Sequence, residues 1–187
     1  MRRIVITEFM SLDGVFEDPG GSEGFKYGGW TMQYGNDEFM KFKMEELEAA
    51  DTQLLGRVTY EGFAEAWPER SGDPFSDKFN SMPKYVVSKT LKKAMWNNSH
   101  IIKKDFAKEI ARLKEKEGEG DILVNGSGQV VNFLLELGLV DELRLLVYPV
   151  VLGTGKRLFK NNHIKLKLIE ATPFKTGVVA FRYEPIK

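Results

Sequence analysis

The sequence contains no cysteine. That excludes a disulfide framework, a thiolate nucleophile and thiolate-held zinc or iron–sulfur. Histidine is nearly absent as well: His100 and His163 stand far apart in the chain. No Ser-His-Asp set and no carboxylate–histidine cluster with metal-ligand spacing can be assembled, so no metal site is expected. There is no surplus of charge, because 27 Lys and Arg balance 27 Asp and Glu. A general nucleic-acid binder draws its affinity from excess cations, so nucleic acid is not an expected partner. A local cationic pocket for one small anion remains open. No apolar run approaches about 20 residues, so no membrane-spanning helix is expected. Met1–Phe9 lacks the apolar stretch of a signal peptide, which makes the cytoplasm the expected compartment.

What is present is the composition of one packed domain spanning residues 1–187, 42% hydrophobic and 29% charged. Glycine stands out at 18, with seven between Gly14 and Gly35. That stretch is too glycine-rich for a helix or strand, yet it carries Phe16, Phe25, Tyr27, Trp30 and Tyr34. A long loop inside a compact domain is usually functional.

Around it, strands and helices alternate. Arg3–Phe9 reads as a buried β-branched strand. Asn36–Ala50 reads as a helix capped by Asn36 or Asp37. Thr52–Leu55, Lys84–Ser88, His100–Ile102, Asp121–Asn125 and Glu142–Val147 read as further strands. Helices are predicted over Thr59–Ala66, Asp105–Glu117 and Gln129–Leu137, and a loop over Ser71–Met82. Ile164–Thr172 and Val178–Tyr183 close the chain as an antiparallel hairpin. The fold class is therefore α/β: a mostly parallel sheet, helices on both faces, and an antiparallel C-terminal hairpin.

Ligands of open α/β sheets gather at the carboxyl ends of the strands. Four such ends carry chemistry. Gly126-Ser127-Gly128 joins a strand to a helix N-terminus, whose free amides and dipole suit an anion. It is not the G-x-G-x-x-G fingerprint, since residue 131 is Val. Gly56-Arg57-Val58-Thr59 repeats that layout and adds a permanent cation. Ser88-Lys89 offers a hydroxyl and a second cation. Each has a bland alternative as a tight turn, a helix cap or a solvated strand end. Asp13 opens the glycine-rich loop, where a carboxylate could orient a substrate or move a proton. Asp37 and Glu38 face the same loop and could reach a heterocycle, and Trp30 within it could stack on one, although N-caps and core aromatics are the commoner roles.

The order of SLDG, LLGRVTYEGF, YVVSKTL, ILVNGSGQVVNFLLELGLVDEL and YPVVLGTGKRLF resembles the dihydrofolate reductase-like fold. It resembles more closely the reductase domain of the riboflavin-biosynthesis deaminase/reductase and its stand-alone bacterial relatives. The resemblance covers nearly the whole chain and is most specific over Ile122–Phe159. It implies NADPH as cofactor, held by Gly56, Arg57 and Thr59, by Ser88 and Lys89 at the adenosine 2′-phosphate, and by Gly126, Ser127, Gly128 and Gln129 under the diphosphate. It implies that the loop from Asp13 onward closes over nicotinamide and substrate, with Thr154 of Gly153–Gly155 beside the substrate. It also implies a homodimer. Ser127 departs from the Gly-Gly of the folate enzymes, Asp37 and Glu38 each match their folate-binding acid only loosely, and Tyr60–Pro68 differs from the riboflavin-type segment. The expected function is NADPH-dependent reduction of a pyrimidine- or pterin-like small molecule, in the manner of 5-amino-6-(5-phosphoribosylamino)uracil reductase. Dihydrofolate reduction, or nucleotide binding without turnover, are the alternatives.

Overall fold

The computed structural model describes residues 1–116, 118–159 and 163–186. Eight strands run β1 (Ile4–Ser11), β2 (Ala50–Gly56), β3 (Lys84–Val87), β4 (Ser99–Ile102), β5 (Asp121–Val124), β6 (Glu142–Tyr148), β7 (Leu166–Pro173) and β8 (Val179–Pro185). They form one sheet in the order β4-β3-β2-β5-β1-β6-β8-β7. Neighbours from β4 to β6 are parallel, and β8 pairs antiparallel with both β6 and β7. The central run of β-branched and leucine residues is what a sheet covered on both faces requires.

The helices are α1 (Asp37–Ala49), α2 (Arg57–Ala66), α3 (Pro74–Ser81), α4 (Phe106–Glu115) and α5 (Gly128–Glu136). Alternation along β1 sends Ile4 and Ile6 into one core and Val5 into the other. Ile110 and Leu113 of α4 and Val131 and Leu134 of α5 meet the first pair. Leu47 of α1, Tyr60 of α2 and Phe79 of α3 close over Val5. A third cluster, with Trp30, Leu146, Tyr148 and Phe174, fills the hairpin end.

The fold class is the one expected, and the structure adds local detail. Residues 71–82, read as loop, contain α3. Asp73 caps it through the Ser76 N–H at 2.9 Å, and Pro74 fills its first turn. The cap of α1 is Asn36, which accepts from the Phe39 N–H at 2.9 Å, and Asp37 lies inside the helix. The helix read over Asp105–Glu117 is observed as Phe106–Glu115, and Glu117 lies outside the described residues.

Candidate functional site

Two strand–helix junctions meet at the centre of the sheet. Gly56 ends β2 and opens α2; Gly126-Ser127 links β5 to α5. The Gly56 N–H donates to the Gly126 carbonyl at 3.0 Å. A Cβ on Gly56 would stand 2.3 Å from Ser127 Oγ and 2.9 Å from Ser127 N. The hydroxyl could rotate away; the backbone nitrogen could not. Gly126 adopts φ +98°, which favours glycine, and a Cβ there would lie 3.0 Å from Thr59 Oγ1. Gly56→Ala should therefore lower the unfolding free energy by about 2 kcal/mol, the usual scale of overpacking. Urea denaturation checks it; an unchanged midpoint would mean that the turn yields.

Neither α2 nor α5 has a side-chain N-cap, and nor does α4, whereas α1 and α3 both do. The first amides of α2 and α5 thus stand side by side without that partner, at the positive ends of two helix dipoles. Such a pair of termini fits a diphosphate. Arg57 opens α2, exposed, and its guanidinium meets Glu61 at 2.6 Å. Gln129 is exposed in the first turn of α5. Gly128 is a packing glycine: a Cβ there would stand 2.4 Å from the Phe16 ring.

One strand further along, Ser88 Oγ accepts from the Thr90 and Leu91 amides at 3.1 and 2.9 Å. Its oxygen thus builds its own turn. Lys89 is exposed, with Nζ 5.9 Å from the centre of the Phe106 ring.

The Gly14–Gly35 loop is fastened on both sides, unlike a slack lid. The Phe16 N–H donates to the Lys156 carbonyl at 3.0 Å, and the Leu158 N–H to that of Gly14 at 3.2 Å. Glu17 accepts from the Lys156 N–H at 2.9 Å and pairs with its ammonium at 2.5 Å. Inside the loop, buried Asp18 accepts from the Glu23 and Phe25 amides at 3.0 and 3.1 Å. Asp13 belongs to this fastening. Its carboxylate accepts from Ser11 Oγ at 2.7 Å, from the Leu152 N–H at 3.1 Å and from the Gly153 N–H at 2.9 Å. Against the opposing effect of burial, these bonds hold its carboxyl below the usual range. An acid held ionised is a poor proton donor at pH 7, so the geometry gives Asp13 the work of joining two loops. Thr154 is exposed on the turn that Asp13 grips.

Three sequence-predicted substrate residues lie apart from the junction. Trp30 is a core residue: its indole N–H donates to the Glu17 carbonyl at 2.9 Å and its ring abuts Tyr148. Glu38 accepts from Asn36 Nδ2 at 2.9 Å and from the Lys175 N–H at 2.8 Å, tying α1 to the hairpin turn. The Lys175 amide and Asn36 draw its carboxyl below its ordinary pKa. Asp37 is exposed at the start of the same helix.

A group that sequence reasoning missed does reach the junction. Glu8 sits in β1, and its Oε1 lies 3.2 Å from the position a Gly126 Cβ would take. Oε1 is buried and has no hydrogen-bond partner among the described residues. Burial pushes this carboxyl up to about 8, against a smaller opposing effect of Lys43. The signal available in the sequence was an acid inside the apolar run Arg3–Phe9.

An open sheet of this order, with glycine junctions at its carboxyl ends, is that of the dihydrofolate reductase-like proteins. Within that class the chain belongs to the RibD C-terminal domain family, which it matches over residues 2–180. It is similar to the protein YyaP of Bacillus subtilis (strain 168), 32% identical over 97% of this chain and 94% of that one. Among solved structures it is similar to a protein assigned to riboflavin biosynthesis from Shewanella sp. PV-4. There the TM-score is 0.76 at 22% identity, with 99% of each chain covered. It is also similar to the dihydrofolate reductase of Enterococcus faecalis complexed with NADP(H). That match has a TM-score of 0.65 at 15% identity, over 99% of this chain and 97% of that one.

Proposed function

We propose that the protein is an NADPH-dependent reductase of a pyrimidine- or pterin-like small molecule, with 5-amino-6-(5-phosphoribosylamino)uracil as the leading substrate. The observation that carries this reading is the contact between two helix N-termini without side-chain caps, at Gly56 and Gly126-Ser127. Membership of a reductase family and likeness to a fold that holds NADP(H) support it.

When bound, the cofactor supplies a hydride from its nicotinamide. The chain's own part is to bind and to exclude water. The first amides of α2 and α5 receive the diphosphate. Arg57, turned from Glu61, and Lys89 supply the cations for a further phosphate. The loop held by Asp13, Asp18 and Lys156 forms the wall on the β1 and β6 side. A second copy of the chain is the protein partner this reading expects, and β7, at the sheet edge, exposes Leu168 and Ile169 for it.

Titration of nicotinamide fluorescence tests the reading. NADPH should bind at least about 10-fold tighter than NADH, a difference of about 1.4 kcal/mol. Arg57→Ala should weaken NADPH more than NADH. Equal affinities in the wild type would remove the phosphate assignment, and an equal loss for both would make Arg57 structural. Loss of nicotinamide absorbance on adding the uracil substrate, against dihydrofolate, then separates the two substrate classes.

A further inference from the structure

A polar row crosses the sheet beneath α1. The register of β1 on β6 sets Thr7 beside Arg144, that of β6 on β8 sets Arg144 beside Arg182, and β7 brings Glu170 beside Arg182. Residues opposite one another in a sheet share a face. Glu38, Phe42 and Glu46 recur every four residues along α1, so one stripe of the helix meets this row. Helix and row enclose a cleft of about 330 Å³, at the small end of the ~300–1,000 Å³ of small-molecule sites. Phe42 and Phe174, with ring centres 6.0 Å apart, give it an apolar wall. The strand order sets β1 between this cleft and the β2–β5 junction.

Most polar groups around the cleft are used up by the protein. Arg182 donates to Glu142 from Nε at 2.8 Å and to Glu170 from Nη1 at 3.1 Å. Glu170 also accepts from Thr172 Oγ1 at 3.0 Å, and Glu38 is held by Asn36 and the Lys175 amide. Two buried charges are not used up. Arg144, 8% exposed, spends Nε on Glu142, and its terminal nitrogens make no hydrogen bond among the described residues. Glu46, 2% exposed, gives Oε2 to Lys43 and Thr7, while its Oε1 has no hydrogen-bond partner among the described residues. Arg144 Nη1 and Glu46 Oε1 stand 3.5 Å apart, an ion pair without a hydrogen bond, and both side chains line the cleft. Lys41 and Glu45, both exposed, line it too and form a second, looser pair of opposite sign at 3.9 Å.

A buried polar atom left open calls for a partner of matching kind. A lone cation in the cleft would meet Arg144 and Lys41, and a lone anion would meet Glu46 and Glu45, each stripped of its hydration. A molecule with both signs on neighbouring atoms answers each demand at once, through charge-assisted hydrogen bonds. We propose that this cleft binds a free amino acid, with its ammonium on Glu46 Oε1, its carboxylate on the Arg144 guanidinium and an apolar side chain against Phe42 and Phe174. Lys41 and Glu45 offer the same two charges nearer to solvent, where they draw both ends of the ligand inward. The site is separate from the dinucleotide junction, so it does not rest on the reductase reading.

Calorimetric titration of the full chain at pH 7 tests this, with L-leucine and L-phenylalanine as ligands. Hydrocinnamate and phenethylamine serve as controls that keep only the carboxylate or only the ammonium. At least one of the two amino acids should bind. Each control should bind at least about 10-fold more weakly, since it leaves one buried charge unanswered. Glu46→Gln keeps the shape and removes the charge, and it should weaken the amino acid by at least about 10-fold. Thr172→Trp fills the cleft from the edge strand β7 without removing a charge, and it should abolish binding; it decides the matter if Glu46→Gln does not fold. Saturating NADPH should change the affinity by less than about 2-fold, as expected of two uncoupled sites. No heat from either amino acid up to about 10 mM would mean that water completes these hydrogen bonds, and would overturn the proposal. A control that binds as tightly as the amino acids, competition with NADPH, or binding unchanged in Thr172→Trp overturns it as well.

Discussion

Lys84→Met should lower the free energy of unfolding by about 3 kcal/mol, the cost of leaving one buried and two partly buried carbonyls without a donor. Lys84 is fully buried at the start of β3. Its ammonium donates to the carbonyls of Asn80 at 2.5 Å, Met82 at 2.8 Å and Asn97 at 3.2 Å. It also lies 4.1 Å from the centre of the Trp96 ring. One side chain thus closes the C-terminal turn of α3 and ties the loop before β4 to the sheet. Burial pushes its pKa down to about 8, which still leaves it mostly charged at pH 7. Methionine matches the stem and removes all three donors. Relief of the buried charge offsets part of the loss, so the expected figure lies below the sum of three orphaned carbonyls. Urea denaturation at pH 7 measures it. A loss under about 1 kcal/mol would mean that water replaces the ammonium, and would reduce Lys84 to a space-filler.

This lysine also shows how far the sequence could be read. Lys84 begins the run KYVVS, whose strand character was legible because Tyr and Val dominate it. Its side-chain role was not, because it depends on α3 lying beside the strand. That helix was itself masked by Gly72, Ser71 and Ser76, although Asp73-Pro74 is a helix start and Phe75 and Phe79 share a face. The glycine junctions were legible for a different reason. Gly56 follows an apolar run directly and Gly126 follows one after a single Asn125, so their place at strand ends needed no tertiary knowledge. That the two touch each other did need it, since β2 and β5 are neighbours only through the crossover order of the sheet.

Polar residues with several possible partners were the least legible. Trp30 and Glu38 could have faced a ligand or the protein, and packing directs both to the protein. Asp13 has the turn position expected of it, but the amides that hold it come from Leu152 and Gly153, about 140 residues away. The converse holds for Glu8. A lone acid in a β-branched strand is costly unless it has a partner or a purpose, and that cost was readable before any geometry. Its position beside Gly126 was not.

Glu142→Gln should destabilise the protein by about 4 kcal/mol at pH 7, the cost of opening a buried ion pair. Glu142 begins β6 almost wholly out of solvent. Its carboxylate accepts from Arg144 Nε at 2.6 Å and Arg182 Nε at 2.8 Å, and it also pairs with Arg3. Arg144, itself buried, reaches on to Glu46 at 3.5 Å. The network therefore joins the residue before β1 to α1, β6 and β8. Burial alone would raise the Glu142 pKa; the bonds from Arg182 and Arg144 overcome that and bring it down to about 2. The native carboxyl thus releases its proton more readily than the unfolded one, whose value is near 4.5. Stability from this group is complete above about pH 4.5 and is lost as pH falls toward 2. Glutamine cannot ionise, so the variant lacks that dependence. Urea unfolding of both proteins at pH 7, 4 and 2.5 should show a gap of about 4 kcal/mol that narrows steadily on acidification. A gap equal at pH 7 and 2.5 would mean that the shape of the side chain, rather than its charge, holds β6 to its neighbours.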